Sequence, residues 1–301
     1  MRIPTGGVGF FDSGVGGLTV LHACLPFLKD VPIYYYGDNA RAPYGGKSKE
    51  EIRAFTLEAF ETFRALNVQA VVAACNTVTS VCIGELRNRY GFPVVGTEPA
   101  ILPAAKRGGK VFVLATRATV QSNRFNNLYA RAKKRYPQTE FSVFACEGLA
   151  AAVEQGVKTG DFSEAERYLP DGSPDSVVLG CTHYAYLHSL IKARYGCSVY
   201  DSGEGVANRL HSILVTLNGA KSVAEIPLPS EWGRYAVVYE RTNVCLSKNG
   251  EIASKIPENN DFFDVFYLGS GKKSNKNAYE QMFVYPKGAN LGLLWSIFPK
   301  K

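Results

Sequence analysis

The chain has 301 residues, a formal net charge of +7, a hydrophobic fraction of 46% and a charged fraction of 20%. This composition is typical of a globular protein that is long enough for two ordinary domains. No apolar run approaches the ~20 residues of a membrane-spanning helix, so we do not expect a membrane protein. No hydrophobic block begins the chain, so we do not expect an export signal.

The seven cysteines are scattered and form neither a disulfide framework nor a Cys-x-x-Cys pair. Free thiols are typical of a reducing compartment, so we expect a cytoplasmic protein. Zinc lacks a ligand set, because Cys181 and His183 alternate at a strand end without a partner pair. A Gly-x-Ser-x-Gly hydrolase pattern is absent, and no lysine stands out as an anchor for pyridoxal phosphate. We therefore expect no metal and no cofactor.

The first elements in the chain are a strand at residues 8–11, a glycine-rich turn at 12–17 and a helix from Leu18 to about Phe27. Unpaired N–H groups at such a turn suit an anionic group such as a carboxylate. The turn is not a dinucleotide-binding fingerprint, because Thr19 stands where the third glycine is needed.

A strand at residues 32–36 follows, and then a loop at 41–48. The loop ends in Gly-Lys-Ser, but Arg41 replaces the first glycine of a P-loop, so we do not expect a nucleotide site. Ser48 and Glu51 instead have the spacing of a capping box. The helix that they begin has apolar residues at helical spacing up to Leu66.

Two apolar runs end in a thiol followed by small polar residues. Residues 70–74 lead into Cys75, and residues 176–180 lead into Cys181. Such runs indicate buried parallel strands, and open α/β sheets bind ligands at the carboxyl ends of their strands. Two strand ends of this kind, if they face each other, place one thiol on either side of a ligand.

The remaining elements alternate in the same way up to a helix from Gly203 to about Leu217, which predicts parallel sheets with helices on both faces. We expect two similar doubly wound α/β domains that face each other across a cleft. The first takes residues 1–97 and about 203–218, and the second takes 98–202. Residues 219–301 form a C-terminal extension of unclear role, strand-like at 235–247 and 262–269 and polar at 271–277.

Residues 101–138 contain nine lysines and arginines and no acidic residue. This segment is either a solvated helix face or a surface for an anionic partner, and no nucleic-acid motif accompanies it, so we do not expect nucleic-acid binding.

Spacing alone leaves the role of the two thiols open. A buried cysteine is usually a small hydrophobic residue, one cysteine with a histidine suggests acyl transfer, and two at equivalent strand ends suggest proton transfer on opposite faces of one carbon. Asp12 can likewise be a simple turn or cap residue.

Five blocks resemble, in order, the signature blocks of bacterial glutamate racemases of the aspartate/glutamate racemase superfamily. They are FDSGVGGL at 11–18, APYGGKS at 42–48, ACNT at 74–77, EPA at 98–100 and GCTHY at 180–184. The resemblance covers residues 8 to about 214, whereas the tail matches poorly. It implies a cofactor-independent racemase that makes D-glutamate for peptidoglycan, with Cys75 and Cys181 as the two bases.

The resemblance also implies the roles of other residues. Asp12 assists Cys75, and His183 assists Cys181. The substrate-binding set that it implies is Asp12, Ser13, Pro43, Tyr44, Gly45, Asn76, Thr77, Thr116, Thr119, Glu147, Thr182 and His183.

Two rival functions stay open: a racemase for aspartate or another amino acid, and a catalytically silent homologue that acts as a binding protein. We expect glutamate as the small-molecule partner and no membrane partner. The resemblance leaves a homodimer open, and also an interaction with DNA gyrase, which some family members restrain.

Overall fold

Strands and helices alternate along the chain and build two sheets in the computed structural model of this protein. The structure describes residues 7–28, 31 and 33–218, and the backbone of three short segments at 236–237, 263–268 and 281–286. Within this described part, no helix is both long enough and apolar enough to cross a membrane.

Four parallel strands form one end of the first sheet. They are β1 (Val8–Asp12), β2 (Ile33–Gly37), β3 (Ala70–Ala73) and β4 (Val94–Gly96), in the order β2-β1-β3-β4. Val8 of the central strand lies beside Ile33 on one side and Ala70 on the other. Parallel strands covered by helices are buried on both faces, which explains the continuous apolar runs in the sequence.

The second sheet repeats the arrangement. Its strands are β5 (Lys110–Ala115), β6 (Glu140–Ala145), β7 (Ser176–Gly180) and β8 (Ser198–Tyr200), parallel and in the order β6-β5-β7-β8. The prediction of an α/β fold with two similar parallel sheets is therefore confirmed.

Three C-terminal strands extend the first sheet beyond β2. They are β9 (Ala236–Val237), β10 (Phe263–Leu268) and β11 (Gln281–Pro286). β9 is parallel to β2 and to β11, and β10 is antiparallel to β11. β9 and β10 fall within the two strand-like segments of the tail. The polar segment 271–277 and the rest of 219–301 lie outside the described residues.

The helices of the first unit are α1 (Gly17–Cys24), α2 (Lys49–Ala65) and α3 (Asn76–Arg89). α1 ends earlier than predicted: Pro26 cannot continue the α-helical hydrogen bonding, and the chain tightens into a 3-10 turn at Leu25–Phe27. The capping box is confirmed, because the Glu51 N–H donates to Oγ of Ser48 over 3.2 Å and the Ser48 N–H to the Glu51 carboxylate over 2.9 Å.

The helices of the second unit are α4 (Ile101–Arg107), α5 (Arg117–Val120), α6 (Asn123–Arg135), α7 (Leu149–Thr159) and α8 (His188–Tyr195). α5 and α6 are separate helices, because Oγ of Ser122 accepts the Phe125 N–H over 3.1 Å and caps the start of α6. Residues Ser163–Tyr168 form a 3-10 helix, and a 3-10 turn at Thr182–Leu187 precedes α8.

The last described helix, α9 (Gly203–Asn218), returns to the first sheet and packs against α1, β3 and β4. The chain therefore crosses between the two sheets twice, after β4 and after β8. The crossings touch, because Oγ of Ser202 donates to the carbonyl oxygen of Glu98 over 2.8 Å. The domain limits given above stay a prediction.

The hydrophobic core forms three clusters. One packs between the first sheet and α2 and α3, with Phe60 and Phe63 fully buried. A second packs between the second sheet and α4 and α6. The largest joins the two units, since it contains Phe10 and Leu210 from one and Leu179 and Tyr184 from the other. This shared cluster holds the carboxyl edges of the two sheets together.

Candidate active site

Strand ends from both sheets meet at one buried place. Asp12 is the last residue of β1, Cys75 follows β3, and Cys181 follows β7. All three are buried, with exposures of 0%, 4% and 7%. The strand ends of the two sheets are joined here, because the hydroxyl of Thr182, next to Cys181, donates to the carboxylate of Asp12 over 3.1 Å.

A close approach of backbones forms this centre. The carbon that a Cβ on Gly16 would add stands 2.5 Å from Oγ1 of Thr182 and 2.8 Å from the backbone nitrogen of His183. Only a residue without a side chain lets the second unit approach the turn this closely. The glycines of the turn therefore serve contact between the two units as well as the conformation of the turn.

Asp12 is held from both units. Its Oδ2 accepts the N–H of Gly14 over 2.9 Å, and its Oδ1 accepts the hydroxyl of Thr182 over 3.1 Å. Burial raises the pKa of Asp12, although the charge of His183 and the Gly14 hydrogen bond lower it in part. A carboxyl group with a raised pKa exchanges a proton near neutral pH more readily than a surface aspartate does.

Cys75 contacts the turn that follows β1. Its Sγ lies 3.6 Å from Oγ of Ser13, to which it donates. Burial raises the pKa of Cys75 to about 12, the negative charge of Asp12 adds to this, and a hydrogen bond from the Val78 N–H at the start of α3 lowers it in part. A raised pKa favours the thiol form of Cys75, which is the form that can give a proton.

Cys181, His183 and Glu154 contact one another in that order, and we call this arrangement the relay. Its Sγ is 3.8 Å from Nδ1 of His183, and Nε2 of His183 is 2.6 Å from Oε1 of Glu154. Burial lowers the pKa of His183, but the hydrogen bonds and negative charges of Cys181 and Glu154 outweigh this and raise the pKa well above its usual value. His183 is therefore placed to exchange a proton with the sulfur that it faces.

A chain of hydroxyl groups connects the two units on another side. Oγ1 of Thr77, at the start of α3, lies 3.0 Å from Oγ1 of Thr116, and Thr116 donates to Oγ1 of Thr119 over 3.0 Å. Asn76 donates to the carbonyl of Thr97 over 3.2 Å, while its Oδ1 is buried with no partner among the described residues. These groups offer donors and acceptors for an amino acid with two carboxylates.

The loop that contains Pro43, Tyr44 and Gly45 closes this side. Tyr44 is buried and donates its hydroxyl to Asp38, and the 3-10 turn Tyr44–Gly46 packs against α5. The three predicted loop residues therefore lie beside the threonine chain. Their roles as substrate ligands stay predictions.

Glu147 is the predicted site residue that the structure does not bring to the centre. Its side chain is 58% exposed and forms an ion pair with Arg117, which is equally exposed. The carboxylate beside His183 belongs instead to Glu154, whose side chain is 12% exposed. Glu154 is the single charged side chain within the apolar stretch 149–154, and that pattern was the signal available in the sequence.

The chain is similar to known racemases. Residues 19–210 match the family model described as Asp/Glu/Hydantoin racemase. The glutamate racemase of Clostridium botulinum is 40% identical over 202 residues, which cover 64% of this chain and 76% of that protein. The glutamate racemase of Clostridium kluyveri is 37% identical over 221 residues, which cover 69% and 84%.

A solved structure is also similar. The crystal structure of Escherichia coli glutamate racemase in complex with L-glutamate and the activator UDP-MurNAc-ala gives a TM-score of 0.66 at 30% identity, over 79% of this chain and 91% of that one.

Proposed function

Because the chain belongs to the Asp/Glu/hydantoin racemase family and is an amino-acid racemase, we propose that it interconverts L- and D-glutamate by proton transfer between Cys75 and Cys181. The observation that supports this proposal best is the pairing of two thiols with separate partners at one buried centre. Cys75 has Ser13 and Asp12, and Cys181 has His183 and Glu154.

The reaction needs one base and one acid at the same time. A Cα–H bond is weakly acidic, so a sulfur must stand roughly 3–3.5 Å from Cα on each face of the substrate. In one direction the Cys181 thiolate, stabilised by the His183 imidazolium, takes the proton, and the electron pair stays on the substrate as a carbanion conjugated with its carboxylate. The Cys75 thiol then gives its proton to the opposite face.

The reverse direction starts with the protonation states exchanged. Cys181 is then the thiol and Cys75 the thiolate, and Asp12 is placed to receive the Cys75 proton because burial raises its pKa. In each direction the substrate loses one proton from Cα and gains one at Cα, so no external oxidant or reductant is needed. Each sulfur acts as base in one direction and as acid in the other.

The substrate is held by the groups around the two sulfurs. Ser13, Asn76, Thr77 and Thr182 supply hydroxyl and amide groups beside Cys75 and Cys181, and Tyr44 and Gly45 close the side toward Thr116. The D-glutamate formed in this way supplies peptidoglycan synthesis, as the family resemblance implies. The homodimer stays a prediction.

Deuterium exchange tests the proposed reaction directly. The protein is incubated with L-glutamate in D₂O, with a chelator and without added cofactor, while optical rotation and Cα deuterium are followed. We expect rotation to fall to zero and the D-glutamate formed to carry deuterium at Cα. The same assay with L-aspartate distinguishes the rival racemase, and no turnover of either amino acid indicates a binding homologue.

A second ligand is proposed for a cavity on the far side of β4. The cavity has a volume of about 270 Å³ and is lined by Arg87 and Arg209 together with Phe92 and Ile213. Burial lowers the pKa of Arg87, and the positive charges of Arg124 and Arg209 lower it further. Two arginines at one cavity favour an anion, and the similar E. coli structure contains UDP-MurNAc-ala as an activator.

We therefore propose that a nucleotide-linked anion of this kind binds there and changes the rate of racemisation. The probe is UDP-MurNAc-ala, added to the racemase assay with wild type, Arg209→Ala and the surface control Arg64→Ala. We expect the rate to respond in wild type and in the control, and not in Arg209→Ala. An equal response in all three proteins contradicts this site.

A further inference from the structure

The turn after β2 carries an asparagine whose side-chain amide is buried without a partner. Oδ1 and Nδ2 of Asn39 are both shielded from solvent, and neither makes a hydrogen bond within the described part of the chain. The backbone is fixed here, because the N–H of Asp38 donates to the carbonyl of Asp12 over 3.0 Å. The amide is therefore held beside the end of β1.

This amide is costly to the folded protein. An asparagine side chain offers two N–H donors and an acceptor oxygen, and burying them unpaired forfeits the hydrogen bonds that they make to water. An apolar side chain of the same shape has no such cost. A buried polar group without partners therefore calls for an explanation outside the stability of the fold.

Three polar side chains converge on the space that Gly14 leaves open. A Cβ on Gly14 would stand 2.2 Å from Oε1 of Glu154, 3.2 Å from Oδ1 of Asn39 and 3.2 Å from Nε2 of His183. Asn39 comes from the first unit, whereas Glu154 and His183 come from the second. The unpaired amide thus faces the carboxylate–imidazole pair across the junction of the two units.

The Glu154 carboxylate is the hydrogen-bond acceptor on the other side of this space. Its Oε1 is 2.6 Å from Nε2 of His183 and accepts the N–H of Val15 over a long 3.4 Å. A carboxylate accepts about four hydrogen bonds in all. A half-turn about the Cβ–Cγ bond of Asn39 exchanges Oδ1 and Nδ2 and turns an N–H toward this carboxylate.

We propose that Asn39 is a positioning residue for the Cys181 side of the reaction. Its N–H binds the Glu154 carboxylate when the two units close on substrate, and this fixes the orientation in which Glu154 holds His183 against Cys181. Asn39 touches neither the substrate nor the reacting carbon and acts through Glu154. The inference rests on the proposed two-base racemisation.

Two nearly isosteric variants test it, with racemisation followed in both directions. Asn39→Leu removes the amide, and Asn39→Asp keeps its shape but replaces the N–H with a negative charge facing Glu154. We expect kcat to fall roughly 10- to 100-fold in both variants, as for a lost hydrogen bond to a charged group. We expect KM for glutamate to change by less than about threefold, because no substrate contact is lost. The unfolding temperature of Asn39→Leu is expected to stay the same or to rise.

Ala40→Ser, at the exposed neighbouring position, is the matched control and is expected to keep the wild-type rate. Full kcat in Asn39→Leu overturns the proposal, and so does full kcat in Asn39→Asp, which has no side-chain N–H. A raised KM with unchanged kcat identifies a substrate ligand instead. Loss of activity together with a lower unfolding temperature in both variants identifies a merely structural residue. A wild-type protein that does not racemise glutamate overturns the proposed function itself, which separates the two failures.

Discussion

Thr182 and Asp12 are 170 positions apart in the chain, and the hydroxyl of Thr182 donates to the Asp12 carboxylate over 3.1 Å. The bond joins the residue that follows Cys181 to the acid that raises the pKa of Cys75. The two thiol environments are therefore coupled, because a change in the position or charge of one strand end alters the other. Substitutions at each strand end therefore test how each thiol environment contributes to the rate of racemisation.

Replacing either thiol is expected to abolish racemisation. A serine hydroxyl is a far weaker acid than a thiol, so Cys75→Ser and Cys181→Ser should each lose activity by about 10²- to 10⁴-fold or more. Cys82→Ser is the matched control, because Cys82 is buried in α3 and its Sγ donates to the carbonyl of Val78 over 3.3 Å, a bond that a serine can replace. The racemisation rate of each of the three variants is measured by optical rotation. A fully active Cys75→Ser or Cys181→Ser protein refutes the two-base mechanism.

Asp12→Asn is expected to lower activity and to raise stability. The raised pKa of Asp12 means that its acid form contributes stability that is fully present below its unfolded pKa, near ~3.9, and is lost as pH rises through the folded pKa. At neutral pH the buried charge is a cost that an asparagine avoids. Urea unfolding at pH 7 and at pH 4 measures this, and the stability gain of the variant should be larger at pH 7.

In the same variant the racemisation rate should fall about 100-fold, since an amide cannot accept the Cys75 proton. A variant that keeps the wild-type rate contradicts the role of Asp12 as a proton acceptor, whatever its stability.

Glu154→Gln is expected to move the alkaline limit of activity to lower pH. Burial lowers the pKa of His183, and the contacts with Cys181 and Glu154 more than compensate. Without the Glu154 charge the folded pKa falls, so the imidazolium beside Cys181 is lost at lower pH. The quantity to measure is kcat/KM between pH 6 and pH 10.

The stability of the protein should follow the same shift. The raised His183 pKa contributes stability that is fully present below about pH 6.5, its unfolded pKa, and is lost as pH rises through the folded pKa. In Glu154→Gln the folded pKa lies closer to the unfolded one, so this contribution is smaller and its loss is complete at a lower pH. Glu147→Gln is the control, because the exposed Glu147 pairs with Arg117 at the surface. An unshifted pH profile in Glu154→Gln, or an equal shift in both variants, contradicts the relay.

Gly16→Ala is expected to separate the two units at the site. The added carbon would stand 2.5 Å from Oγ1 of Thr182 and 2.8 Å from a backbone atom that cannot move aside, the nitrogen of His183. A displacement of about 1 Å in an active site costs on the order of 100-fold in rate. Gly46→Ala, in the neighbouring loop with nothing within 4 Å of the added carbon, should keep its activity. Equal rates in both variants would show that the close approach is unnecessary.

The sequence allowed the strands and their polar ends to be predicted because apolar runs and turn residues are local signals. β3 and β7 are bounded by the small and polar residues that also supply the site, so their carboxyl ends were recognisable before Cys75 and Cys181 were placed together. The capping box of α2 was equally local.

The position of Glu154 beside His183 was not predicted from the sequence, which gave Glu147 as a substrate-binding residue. Both acids follow β6, but Glu147 precedes the start of α7 at Leu149, whereas Glu154 lies within the helix and faces the junction between the units. Which of the two reaches His183 depends on the position of the helix start and on packing between the units. The helix start and this packing are known only from the folded structure.

The two chain crossings between the sheets lie side by side, linked by the bond from Ser202 to Glu98. Because the two crossings are in contact, we expect any relative motion of the two units to be mainly a rotation about the line through these crossings. We expect the thiols to separate and return along a single arc, so each closure restores the same alignment on the two faces of the bound carbon. The equal treatment of the two faces of the substrate would then follow from the two adjacent crossings between the sheets.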